Sequence, residues 1–283
     1  KLKDIVSLLR IFQNSPQLFF LDTIIKDGFV NANINLNFDE SGKIKENYEI
    51  EGFVKQAKLN FLNQIKIQNF NFKFSIEKQV YSLNQLDMKF KGIDITSPLI
   101  EIKKNKNSYF VKGQLLNNKK NFDINELEQI YPNFFKDIGL KKLEFNSKNN
   151  FAFNINKSLK FDNIKVESIV SLKQLIVRQK NLNLKSYLPN FNEEIKLDNH
   201  KIIINYNKDE LSINGSGNIL LEDKLDSLSY KIVKNNNSVS FDTEINLKNN
   251  SLLLDFLDYK KKEGLISSVL IKGNIKKNNK FKF

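Results

Sequence analysis

Few side chains in this sequence could do chemistry, and their types and spacing limit them further. The single His is His200, and there is no Cys. A Ser-His-Asp triad would have to use His200, yet no Gly-x-Ser-x-Gly elbow presents a nucleophile to it. The histidine sits in a stretch read as a polar turn ahead of a strand, where its expected state is solvated. One His and no Cys leave no His/Cys metal cluster and no disulfide. Glu193 and Glu194 are adjacent in a stretch read as a loop, and on a strand they would point to opposite faces, so they suggest no acid/base pair. Gly215-Ser216-Gly217 lacks the third glycine and the following helix of a dinucleotide loop. The lysine runs at 103–106, 260–262 and 276–282 fall at strand ends and read as solvated turns. The expectation is a protein that is not an enzyme, with no catalytic residue, no cofactor and no metal.

Charge points elsewhere. The 283 residues carry a formal net charge of +13, the kind of balance that raises nucleic-acid binding as a reading. Of the 45 Lys and Arg residues only Arg10 and Arg178 are arginine, the side chain suited to bidentate phosphate and guanine contacts. Lys, Asn, Ile and Phe are abundant together, as biased codon use in an AT-rich genome produces. Attraction to an anionic membrane surface is the second origin for the charge and nucleic acid the third. No window of about 18 apolar residues is present, so no membrane-spanning helix is expected. The chain starts at Lys1 with no signal-peptide pattern, and it reads as a piece of something longer or a processed product whose anchor lies outside it.

The elements follow from period. In Gly28–Phe38 the residues Val30, Ala32, Ile34, Leu36 and Phe38 alternate with Asn31, Asn33, Asn35 and Asn37, so a strand there is apolar on one side and amide-lined on the other. Before it, Leu2, Ile5, Leu8, Leu9 and Phe12 recur at helical spacing. Ser15-Pro16 then caps a second helix carrying Leu18, Leu21, Ile24 and Ile25, with Gly28 as its C′ stop. Ile50 and Val54 alternate in the next strand. The apolar parity then shifts to Ala57, Leu59 and Phe61, which predicts a bulge near Lys55-Gln56. Phe70, Phe72, Phe74 and Ile76 share one face of a third strand. Further strands are expected at 79–83, 86–90, 99–103, 109–115, 151–155, 161–172, 202–206, 211–221, 228–233, 239–247 and 269–275. A helical insertion is expected at about 122–137, with Asp123 and Glu126 as a capping box and Leu127, Ile130, Tyr131 and Phe134 on one face, limited by Pro132. Residues 251–259 fit a short helix or a strand.

An apolar-x-apolar-x-Gly pattern recurs at Tyr48–Gly52, Tyr109–Gly113, Leu211–Gly215 and Val269–Gly273. Glycine inside a strand marks a bend or a close approach, and repeated bends would curve a sheet. Roughly fifteen strands at about 4.8 Å make an open sheet on the order of 70 Å long, and sheets that large curl, split or close. The expected class is mainly β: a long, curved, largely antiparallel sheet forming an elongated trough, a β-groove, with a few short covering helices. Residues 1–27 are the helix pair flanking the sheet and 28–283 the continuous groove segment, interrupted at about 122–137.

These features resemble the AsmA-like superfamily, which includes TamB and YhdP, and most of all the central region of YhdP-like proteins. The likeness is carried by the helix pair leading into GFVNANINLNF and by the run YEIEGFVKQAKLNFLNQIKIQNFNFKF. It continues with the helix around Leu127–Phe135 containing Tyr131-Pro132 and with LDYKKKEGLISSVLIKGNI at 257–275. The resemblance implies a periplasmic protein, anchored to the inner membrane through a segment outside this chain, with a hydrophobic groove for phospholipid transport between inner and outer membrane in support of outer-membrane integrity. It implies phospholipid acyl chains as partner, both membranes as partners through other parts of the protein, and neither nucleic acid nor metal. The acyl chains would then lie against Val30, Ile34, Leu36, Phe38, Ile50, Val54, Phe70, Phe72, Phe74, Ile76, Val111, Phe151, Phe153, Ile155, Ile204, Ile213, Phe241, Ile245 and Ile271. The alternatives are a structural β-sandwich, an adhesion or scaffold module with no lipid cargo, and a basic nucleic-acid binder.

Overall fold

A computed structural model describes residues 1–12, 15–43, 45, 48–61, 65–77, 79–118, 121–130, 138–179, 184–191, 193–276 and 281–282. The chain divides into two compact units, the first made of residues 1–117 and 148–166 and the second of 118–147 and 167–283.

The first unit begins with helices α1 (Leu2–Phe12) and α2 (Pro16–Ile24). Asp22 joins them, accepting from Ser7 Oγ at 2.7 Å and pairing with Arg10. Ser15 caps α2 as expected, its side chain accepting from the Leu18 N–H ahead of Pro16 at the first helical position. The helix does not end at Gly28. Its cap is Ile25 in extended conformation, and the chain passes directly into β1 (Ile25–Asn35). Gly28 lies inside β1 at φ +134°, where a Cβ would stand 2.8 Å from Ala57 Cα. Glycine is needed there for a close approach of two strands rather than for a helix stop.

Strands β2 (Glu49–Phe61), β3 (Ile65–Glu77), β4 (Val80–Phe90), β5 (Ile93–Lys104) and β6 (Ser108–Asn117) follow. The bulge expected near Lys55-Gln56 is present: Gln56 has φ 53° and the β2–β3 register shifts between Val54 and Ala57. The strands expected at 79–83 and 86–90 are one strand, β4, with a left-handed Gln85 (φ 51°) absorbing the parity change. Beyond Asn35 the β1–β2 ladder ends, so Leu36 and Phe38 lie past the strand rather than in it. There the Asp39 carboxylate accepts from the Ser41 and Lys43 N–H groups, each at 2.9 Å, and folds the connection.

The second unit contains β7 (Asn121–Phe122) and α3 (Ile124–Ile130). Asp123 Oδ1 accepts from the Asn125 N–H at 2.6 Å at the start of α3. Tyr131, Pro132 and Phe134, expected to continue this helical region, lie outside the described residues. Strands β8 (Leu140–Asn156) and β9 (Phe161–Arg178) each contribute to both units. Next come β10 (Glu194–Tyr206), β11 (Glu210–Leu220), β12 (Leu225–Asn235) and β13 (Ser238–Leu247). Residues 251–259, open between helix and strand, are both: β14 (Leu252–Leu254), a 3₁₀ turn at Asp255–Leu257 and β15 (Tyr259–Lys261). β16 (Ser267–Lys276) and the short β17 (Phe281–Lys282) complete the unit.

Hydrogen-bonded neighbours run in the order β1-β2-β3-β4-β5-β6-β8-β9-β10-β11-β12-β13-β16-β17, with β7 beside β8. The sheet is mainly antiparallel and not closed, since β1 and β17 stand at the two ends of that order. The other sheet described is the two-stranded β14–β15 ribbon. A sandwich needs two extensive sheets face to face, and among the described residues a second extensive sheet is absent.

Candidate functional site

Cross-strand register shows which side chains share a face, because directly opposed residues of an antiparallel pair point the same way. In the first unit one row reads Ile34–Ile50–Ile76–Tyr81–Ile102–Val111 from β1 to β6, and the next reads Ala32–Gly52–Phe74–Leu83–Ile100–Gly113. Between them, on the opposite face, lies Asn33–Glu51–Ser75–Ser82–Glu101–Lys112. The alternation seen in single strands is therefore held in phase across the unit. Bulges at Gln56, Asn69 and Gln85 keep it in phase. Val30 faces Val54, which faces Phe72, and Phe70 faces Ala57.

Aromatic rings thicken this apolar face. Phe70 and Phe72 have centroids 4.9 Å apart, and Phe72 and Phe74 are 6.3 Å apart. On β8, Phe151 and Phe153 stack at 5.8 Å, and Phe153 meets Phe161 at 5.4 Å. Ile155 follows two residues after Phe153 on the same strand. Val54 and Val111 are buried, whereas Val30, Ile50, Phe70, Phe72, Phe74, Ile76, Phe151, Phe153 and Ile155 are half-buried. Ile34 is 58% exposed, and Leu36 and Phe38 beyond the strand end are exposed too.

The helices cover one end of this face. Val6, Ile24 and Ile25 form a buried cluster with Leu2, Leu59 and Phe61 around them, and Phe20 meets Phe61 at 6.1 Å. Strands β1 to β6 at about 4.8 Å, each roughly ten residues at about 3.3 Å, give a face on the order of 800 Å². Contiguous apolar surface left open to solvent is what marks a binding face, and the half-buried side chains of these rows leave part of this area open.

The second unit repeats the segregation. Ile204–Ile213–Ile232–Phe241–Gly273 form one row, Ile202–Gly215–Tyr230–Thr243–Ile271 the next, and Gly217–Leu228–Ile245–Val269 a third. The opposite face carries Ile203–Asn214–Lys231–Asp242–Lys272, with Lys272 and Asp242 paired at 3.0 Å. Ile204, Ile213, Phe241 and Ile245 are half-buried and Ile271 is exposed. One end of this apolar face is closed by a compact cluster of Leu188, Phe191, Ile219, Leu221, Leu228, Leu247 and Leu252.

The repeated strand glycines have a role other than bending. A Cβ at Gly52, Gly113, Gly215, Gly217 or Gly273 would stand 2.2 to 2.9 Å from a ring atom of Phe74, Phe151, Tyr230, His200 or Phe241 respectively. Each glycine is the floor on which a neighbouring ring lies, the arrangement in which an aromatic side chain shields an otherwise bare strand glycine.

His200 is the clearest correction to the sequence reading. It lies within β10 at 2% exposure rather than in a solvated turn. Its ring lies over Gly217, stacks on Tyr230 at 5.8 Å, and places Nε2 2.9 Å from the Asn218 carbonyl. Polar neighbours hide it in the sequence. A left-handed Asn199 (φ 53°) and the register shift between Asp198 and Lys201 turn it inward.

Among the described residues, no group of three or more His, Cys, Asp or Glu could hold a metal ion, and no helix is long and apolar enough to cross a membrane. Glu193 and Glu194 each take a basic partner, Arg178 and Lys141. Glu144, on β8, is held below the ordinary carboxylate range by the hydrogen bond from Lys173 at 2.7 Å, and the same bond raises Lys173. A buried polar knot had no sequence signal. Asp226 accepts from the N–H groups of Lys248 and Asn249 at 2.8 Å and from Asn250 Nδ2 at 2.7 Å. Lys261, 1% exposed, donates to the Asn250 carbonyl at 2.6 Å. These partners lie 11 to 24 residues apart, and a lysine-rich turn ordinarily reads as solvated.

Comparison of the chain with protein families, with characterised proteins and with solved structures finds no match in any of the three.

Proposed function

We propose that this chain is a lipid-carrying segment of an AsmA-like periplasmic protein, its apolar sheet faces accommodating phospholipid acyl chains in transit between inner and outer membrane. One observation carries the reading: apolar and polar rows stay in phase over consecutive strands while the apolar side chains remain half-buried. Each methylene kept from water is worth about 0.8 kcal/mol, so an acyl chain needs a continuous apolar bed to leave a bilayer. Rungs of Phe, Ile and Val supply such a bed with no directional bond to hold one lipid in place, which suits sliding. The polar rows keep the other side of the sheet wetted. Anchoring and contact with either membrane fall to other parts of the protein.

A scaffold module without cargo is the second reading, favoured by the closed cluster around Phe191 and Leu228. Native mass spectrometry of gently purified protein separates the two. Co-purifying phospholipid is expected, together with extraction of fluorescent phospholipid from vesicles. Phe72→Asp should cut extraction about tenfold, because a carboxylate in an apolar bed must be desolvated, while the chain still unfolds cooperatively. Protein free of lipid, with no lipid-dependent rise in melting temperature, would overturn the proposal in favour of the scaffold.

A further inference from the structure

At one end of the first unit's apolar face the residue chemistry changes. β2, β4 and β6 run in the same direction, and a tyrosine stands within one residue of the start of each: Tyr48 just before β2, Tyr81 and Tyr109 second in β4 and β6. Register puts Tyr81 in the row with Ile76 and Ile102, and Tyr109 two residues before Val111 in that same row. Tyr48 precedes Ile50 by two, so alternation gives it the same side. The three tyrosines stand on alternate strands of one rim, about 10 Å from one to the next; burial raises the Tyr81 phenol above its ordinary value, and Tyr109 and Tyr48 add to the rise. Opposite Tyr109, on the same face, is Lys104, exposed. Among the described residues the three hydroxyls and the Lys104 ammonium have no hydrogen-bond or ion-pair partner.

The acidic residues of these strands lie elsewhere. Glu49, Glu51, Glu77 and Glu101 occupy the opposite, polar face, where Glu101 pairs with Lys112 at 2.6 Å. The rim of the apolar face thus carries phenolic donors and an uncompensated cation. The second unit, taken by itself, shows the same combination: Tyr206–Leu211–Lys234–Val239–Ile275 is the row beyond Ile204.

Tyrosine is suited to a boundary where one end is apolar and the other wet, and a hydrogen bond to a charged acceptor is about twice as strong as a neutral one. We propose that this rim binds the phosphates of phospholipid head groups, Tyr81, Lys104 and Tyr109 on neighbouring strands forming one station and Tyr48 extending the row, with the acyl chains seated on the rows of Ile and Phe beside them. This rests on the acyl-chain reading above and adds polarity to it: lipids lie with their phosphates at this rim. The phenol O–H groups and the ammonium donate, and the phosphate oxygens accept.

Calorimetric titration of the full chain tests it with three probes: a short-chain phosphatidylglycerol, the diacylglycerol with the same chains, and inorganic phosphate. Phosphatidylglycerol is expected to bind about tenfold more tightly than diacylglycerol, the worth of one charge-assisted hydrogen bond at the low end of its range, and inorganic phosphate alone should bind far more weakly. Lys104→Gln, an exposed site, and the ring-preserving Tyr81→Phe/Tyr109→Phe should each bring phosphatidylglycerol close to the diacylglycerol affinity and leave diacylglycerol unchanged. Equal affinities for the two lipids, unaffected by either variant, would overturn the rim and leave the acyl-chain face standing. Inorganic phosphate binding as tightly as the phospholipid would reassign the rim to free phosphate and overturn the head-group inference. Binding of neither lipid would overturn the acyl-chain reading and this inference with it.

Discussion

The first unit leaves its apolar rows half-buried from Ile50 to Phe74 and covers them at one end with two helices, whose Val6 and Ile24 press on Leu59 and Phe61. The second unit brings a 3₁₀ turn at Leu184–Ser186, with Leu188 and Phe191 after it, and the β14–β15 ribbon onto its face, and there Leu228, Leu247 and Leu252 leave water almost completely. Strand chemistry is similar in both: Ile, Val and Phe dominate one side, and the other is mostly Asn, Ser, Lys, Asp and Glu with occasional apolar residues such as Phe53 and Ile203. What differs is the cover. Alternation sets which side chains share a face, while the connections decide how much of that face is spent on stability and how much stays open.

The comparison can be broken most forcefully at Asp226. Asp226→Ala strips the acceptor from the Lys248, Asn249 and Asn250 N–H groups and leaves the buried Asn250 unsatisfied, which should cost about 3 kcal/mol. Urea unfolding should show the loss, and proteolysis should begin in residues 248–266. A stability within about 0.5 kcal/mol of the parent would mean that the ribbon is not a structural cover.

A matched pair of truncations sharpens the contrast. Leu228→Ala in the covered cluster should cost about 3 kcal/mol, and Phe74→Ala on the open face about half of that despite the larger side chain, because a half-exposed ring loses less on removal. Equal losses would show the two faces to be packed alike.

The smallest effect concerns pH. Lys173 depresses Glu144 below its ordinary value of 4.5, so the pair's contribution is complete above that value. It fades as pH falls through it, when the folded state must take up a proton that the unfolded state binds more readily. Lys173→Gln should reduce this part of the acid sensitivity of the second unit's melting temperature, Lys142 at 3.7 Å retaining a share, and an unchanged acid limb would show the pair to be neutral.

Much of this was legible in the sequence because a strand's period of two leaves little ambiguity. The Phe70-Phe72-Phe74 face, the Gln56 bulge and the Ser15-Pro16 cap are written in consecutive residues. A bulge announces itself when apolar residues on both sides reveal the flip; in β4 the change at Gln85 instead made one strand look like two. Features made by distant partners were not legible. His200 is flanked by Asp198, Asn199 and Lys201, and only the backbone turn at Asn199 points it inward. Lys261 sits in a basic run, and its burial depends on Asn250. The tyrosine rim does leave a trace, since Tyr48–Gly52 and Tyr109–Gly113 begin alike, but the glycines dominate that pattern.

The strand order has a consequence for how such a sheet comes to exist. Nearly every strand pairs with the one just before it in the chain, with detours only at β7 and at β14–β15. Pairing therefore joins consecutive strands rather than distant parts of the chain, which keeps the loops to be closed short. A nascent chain can dock each strand on the edge already formed, so the sheet can grow during synthesis. The same property lets length change by whole hairpins: an inserted pair of strands with matched parity extends both rows and disturbs only the neighbours it separates, so reach can evolve by adding units.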